Sequence, residues 1–77
     1  MIRLTTNELE QLIEQGSLYG LTYHLLKTVR VHDNEFVCTV RYNDNRYTFS
    51  YSWDDNLDCV HDFGGIQRGV VVLKRVV

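Results

Sequence analysis

The chain has 77 residues, 44% of them hydrophobic and 23% charged, with eight Lys/Arg against ten Asp/Glu for a net charge of −2. That length predicts one small domain, and the composition excludes a disordered, collagen-like or solenoid chain. The missing basic excess argues against generic duplex binding, and no apolar run approaches the ~20 residues that span a bilayer.

The first element is a punctuated helix. Thr5-x-x-Glu8 forms a capping box, with Leu4 and Leu9 at the staple positions around it. Leu9, Leu12 and Ile13 make one apolar face at helical spacing, and Gly16 can end the helix in the left-handed region. The helix is expected over about residues 6–15.

From Leu21 the period changes to two. Leu21, Tyr23, Leu25, Val29 and Val31 share one parity; Phe36, Cys38, Val40 and Tyr42 follow, then Tyr47, Phe49, Tyr51 and Trp53. Asp33-Asn34 and Asp44-Asn45 separate these runs as two-residue turns, so an antiparallel meander is expected. Under that register Val29 faces Cys38, Tyr42 faces Tyr47, and Phe36 faces Trp53, all on one side. A three-residue loop at Asp54-Asp55-Asn56 sets Tyr51 against Cys59 and Tyr47 against Phe63, with Asn56 left-handed. That gives a weaker fourth strand over about 57–63. Gly64 to Gly69 reads as a flexible connection, and Val70 to Val77 as a last strand.

These elements predict an α+β fold: a single N-terminal helix packed on a four- to five-stranded, mostly antiparallel meander, in the order α-β-β-β-β-β. In outline that order resembles the cystatin-like architecture.

The apolar sheet face is rich in rings. Four strands at ~4.8 Å spacing make it roughly 15–20 Å wide, whereas a ten-residue helix is about 15 Å long and 10 Å across. The helix therefore covers about half of the face. The remaining rings need sheet curling, a second protomer or a partner protein to cover them. Tyrosine suits the last two, having an apolar body and a polar tip. The binding set expected on this ground is Tyr23, Tyr42, Tyr47, Tyr51 and Trp53, with Asp54 and Asp55 of the acidic turn. The opposite face is expected to carry Thr28, Thr39 and Ser50 in one cross-strand row, with Arg30, Arg41 and Arg46 beside them.

Catalytic residue types cluster only at Cys59-Val60-His61-Asp62. Cys59 and His61 should share a strand face, with Cys38 two strands away and too far for a disulfide. No C-x-x-C spacing supports zinc, and a small sheet leaves little room for a thiol hydrolase pocket, so no cofactor and no metal are expected. Gly64-Gly65 lacks the phosphate-loop pattern. The start of the chain has no apolar stretch followed by a cleavage site, which predicts an intracellular, cytoplasmic chain with reduced thiols.

The sequence thus favours a non-enzymatic protein-binding module, an inhibitor or regulator that occludes or bridges another protein. Its size and lack of catalytic residues parallel phage-encoded regulators, anti-CRISPR proteins among them. A homodimer through the sheet face or the C-terminal edge strand is a further expectation. Single-stranded nucleic-acid binding by aromatic stacking is the rival, weakened because the arginines fall on the parity opposite the tyrosines. A small metal- or thiol-dependent enzyme is the third reading.

Overall fold

Helix α1 (Thr6–Gln15) forms where its punctuation places it. The Thr5 hydroxyl accepts from the Glu8 amide at 3.2 Å, and the Glu8 carboxylate accepts from the Thr5 amide at 2.8 Å. Gly16 closes the helix at φ 77°, donating its N–H to the Leu12 carbonyl at 2.9 Å. The left-handed conformation is the one a side chain at this cap would resist. Leu9 and Leu12 are sealed from water, and Ile13 packs beside them.

The computed structural model describes residues 1–77. Its fold is α+β, one helix packed on mostly antiparallel strands, as the periodicity predicts. Strands β2 (Ser17–Leu18), β3 (Tyr23–His32), β4 (Glu35–Tyr42), β5 (Asn45–Asp54) and β6 (Cys59–Phe63) run in meander order. A second, three-stranded sheet joins β1 (Arg3–Thr5), β8 (Val70–Val72) and β7 (Ile66–Gln67), in the order β1-β8-β7. Strand β9 (Lys74–Arg75) returns to the main sheet and pairs with β5.

Three registers differ from the sequence reading. The second turn is Asn43-Asp44, at φ 49° and 63°, so Tyr42 pairs with Asn45 and Phe36 with Tyr51. Positive φ at both central residues is the type I′ signature, which matches the right-handed strand twist. The partners move, but each residue keeps its face. At the first turn neither Asp33 nor Asn34 has positive φ, so it is not type I′, and β3 carries irregularities at Leu26 and Val31. Between them the parity inverts: Thr28 pairs with Cys38 and Arg30 with Phe36. Thr28 and Arg30 therefore lie on the apolar side, and the expected Thr28–Thr39–Ser50 row does not exist. Val29 moves to the polar side opposite Val37 and stays 46% exposed.

The third turn spans four residues, 55–58, with Asp58 rather than Asn56 left-handed. Strand β6 is real, but Tyr51 pairs with Phe63, Trp53 with Val60 and Asp54 with Cys59. The Asp54 carboxylate accepts from the Asn56 and Leu57 amides at 2.9 and 3.1 Å, which fixes the longer loop. The Gly64–Gly69 stretch is not a loose connection: Arg68 and Gly69, at φ 56° and 77°, turn the β7–β8 hairpin. Nor is the C-terminal run one edge strand. Val70–Val72 is the central strand of the small sheet, and the chain changes sheets at buried Leu73.

The core lies between α1, the small sheet and the ring-bearing face. It comprises Leu4, Leu9, Leu12, Leu18, Cys38, Val40, Phe49, Tyr51, Phe63, Val71 and Leu73. The small sheet supplies part of the cover that the sequence reading left to sheet curling, a second protomer or a partner.

Candidate functional site

The cover is uneven. Tyr51 is only 8% exposed, stacked on Phe36 at 5.1 Å between ring centroids and tilted against Phe63 at 6.3 Å. Phe49 is buried as well, and Trp53 is half-buried against the core. At the other end of the face, Tyr23, Tyr42 and Tyr47 are half-buried, each with some surface open to water.

Those three join a fourth ring that the periodicity did not reveal. Tyr19 is 62% exposed and lies 6.4 Å from Tyr23. Tyr23 stacks on Tyr42 at 4.6 Å, 15° from parallel, and Tyr42 meets Tyr47 edge-on at 6.4 Å. The result is an unbroken row of four tyrosines crossing from the β2–β3 turn to β5. Stacked and edge-to-face pairs of this kind contribute about 0.5–1.5 kcal/mol each beyond their buried area.

Both ends of the row are held. Tyr19 has φ 52°, a conformation disfavoured for a bulky residue. Its hydroxyl donates to the second carboxylate oxygen of Glu8, the residue that also closes the capping box. At the far end Arg75 pairs with Tyr47 and donates to the Asn45 side chain at 2.9 Å. The row thus starts at a carboxylate and ends at a guanidinium.

The Glu8–Tyr19 contact sets opposite shifts in its two groups. Glu8 is held below its ordinary value, first by the Thr5 amide and then by the Tyr19 hydroxyl. Tyr19 is raised, chiefly because its proton is donated to Glu8. Burial, followed by the neighbouring Tyr42, raises Tyr23. A depressed carboxylate contributes stability above its unfolded value, ~4.3. That stability is lost as pH falls through the folded value. A raised phenol contributes below its unfolded value, ~10, and loses the contribution as pH rises through the folded value. Tyr19→Phe should therefore flatten the alkaline limb of a stability–pH curve and shrink the acid limb, leaving only the Thr5 share. Denaturant midpoints measured across pH test this; an unaltered alkaline limb would refute the clamp.

The remaining residues expected at the site are placed elsewhere. Tyr51 belongs to the core. Trp53, Asp54 and Asp55 lie at the opposite end of β5, where Asp54 caps its own turn and Asp55 accepts from the Asn34 side chain at 3.1 Å. The thiol cluster also disperses. Cys38 is buried, which raises its thiol, and lies 3.5 Å from the Thr28 hydroxyl. Cys59 is exposed beside Asp54, not in the Cys38 row. His61 turns outward, 3.9 Å from the Asp54 carboxylate. No three His, Cys, Asp or Glu side chains come together as a metal site, and no helix is long and apolar enough to cross a membrane.

No protein-family model, curated protein or solved structure matches this chain.

Proposed function

We propose that this chain is a non-enzymatic protein-binding module that inhibits or regulates a partner by covering part of its surface, with Tyr19, Tyr23, Tyr42 and Tyr47 as the contact row. The supporting observation is the row itself: four adjoining rings, Tyr19 exposed and the other three half-buried, while Phe49, Tyr51 and Phe63 of the same face are packed away. Tyrosine supplies large contact area at low conformational cost and is enriched in interface cores. Strain at Tyr19 adds weight, since disfavoured backbone persists where surrounding contacts hold it and clusters at functional sites. The ends favour a partner that offers a donor near Glu8 and an acceptor near Arg75. Base stacking fits less well, because Arg75 is the one cation placed beside these rings by strand pairing.

The test is capture of partners from a host extract by the wild type, by Tyr19→Ala with Tyr42→Ala, and by Leu57→Ser as an exposed, remote control. The tyrosine variant should stay folded and lose the partner that the control retains. If the folded variant keeps every partner, the row is not the contact surface. Sedimentation of the same three proteins shows whether a second copy occupies the row instead.

A further inference from the structure

The opposite sheet face carries a second feature, independent of the tyrosines. Strand alternation sets Arg41 and Thr39 on the side away from buried Val40 and Cys38. Pairing then aligns His24, Arg41 and Arg46 in one cross-strand row, and Lys27, Thr39, Thr48 and Lys74 in the next. Lys27, Arg41, Arg46 and Lys74 are all exposed. Four of the eight Lys/Arg of a net-negative chain thus share one small strip.

Folding does not explain this placement. Arg41 and Arg46 stand directly opposite each other, and like charges in that position destabilise a sheet. No Lys or Arg of the chain lies within ion-pair distance of a carboxylate; the single basic side chain that does is the His61 imidazole, beside Asp54. Asp44, in the adjoining turn, pairs with neither arginine. The next acids on this face are Glu35 and Asp62, which share the row of His32 and Ser52. Glu35 is four residues along β4 from Thr39, about 13 Å away. Thr39 and Thr48 add hydroxyl donors between the cations.

We propose that this strip docks a carboxylate-rich segment of a partner protein. Unpaired guanidinium groups bind carboxylates in forked, charge-assisted contacts, and the repulsion between Arg41 and Arg46 is relieved when an anion sits across them. A nucleic-acid strand fits less well. The strip is only two rows deep, about 7 Å, and a longer polyanion running along the strands meets Glu35 and Asp62. The one ring in these two rows is the half-buried His24 imidazole, so no run of rings is present on which successive bases could stack. With the tyrosine row on the reverse face, the chain then has two docking surfaces and can bridge.

Fluorescence anisotropy of the full chain with a labelled oligo-glutamate peptide tests this, with labelled oligothymidylate in parallel. The peptide should bind at low salt and be released as salt rises. Arg41→Gln with Arg46→Gln should weaken it about tenfold, and Lys27→Gln with Lys74→Gln by a similar factor. Tyr42→Ala should leave it unchanged, so this result stands or falls apart from the tyrosine reading. Arg46→Glu should raise Tm, by pairing with Arg41, while abolishing peptide binding; the fold is then sound when binding is lost. No peptide binding by the wild type, binding indifferent to both double variants, or tighter binding of oligothymidylate than of peptide would each overturn the proposal.

Discussion

Tyr51→Ala is expected to destabilise the chain by about 3–5 kcal/mol, whereas Tyr42→Ala costs only about 1–2 kcal/mol. The two tyrosines share a sheet face and a residue type, yet only one is core. Tyr51 fills the space between Phe36 and Phe63 and is nearly closed to water. Removing its ring loses the transfer energy and leaves a cavity that β4 and β6 cannot close without breaking their pairing with β5. Tyr42 loses one stacked and one edge contact at a site already open to solvent. A chain of this length has about 4–12 kcal/mol in total. The first change therefore removes a large part of it, and the second does not. Urea titration of both variants decides the matter. Equal midpoints would mean that Tyr51 is not the packed ring described here. The contrast also governs interface work: loss of a partner by Tyr51→Ala reports unfolding, and loss by Tyr42→Ala reports contact.

The difference between these two residues was not legible in the sequence, though their shared face was. Period-two alternation places both rings on one side, because side-chain direction depends only on parity. Which rings are covered depends on where the helix and the small sheet land. The latter could not be read, because Arg3–Thr5 and Val70–Val72 are far apart in the chain and too short to show a period. Turn chemistry was partly informative. Asn43-Asp44 and Asp44-Asn45 are equally good type I′ pairs, and a slip of one residue at the turn shifts every partner while preserving every face.

The β3 irregularities had a larger consequence. They put Thr28 and Arg30 on the apolar side, where both stay exposed, and Val29 on the polar side, and no residue in Leu25–Val31 is a glycine that would mark a bulge. Their benefit is visible only in the sheet. Beyond β2, strand β3 has no neighbour on its outer side, and bulges with Lys27 nearby blunt such an edge against stray pairing. Tyr19 was missed because it lies in a turn, outside either periodicity. The available signal was Tyr-Gly three residues after a helix-ending glycine. Helix α1, by contrast, was fully legible, since its capping box, apolar stripe and terminal glycine all act over a few residues.

Leu73→Ala should cost about 2–5 kcal/mol and should loosen the far end of the tyrosine row as well as the core. Leu73 is the point where the C-terminal segment leaves one sheet for the other. Its side chain is buried, and its amide donates to the Ile2 carbonyl at 3.0 Å, so it ties the segment to the start of the chain. Past it, Lys74 and Arg75 pair with Thr48 and Tyr47, and the Val76 amide donates to the Arg46 carbonyl at 2.8 Å. These contacts cover the upper edge of β5, which β6 does not reach. They also hold Arg75 beside Tyr47. The burial of Leu73 offsets the entropy of ordering four residues that contribute little other core. Hydrogen exchange provides the specific readout: in Leu73→Ala the Val76 amide should lose protection by more than the global destabilisation explains, while the amides joining β4 to β5 follow the global value. Val77→Ala, at a fully exposed position, should change neither. If Val76 keeps its relative protection in Leu73→Ala, then β9 is held by its own pairing, and the pin at Leu73 has no part in shaping the end of the row.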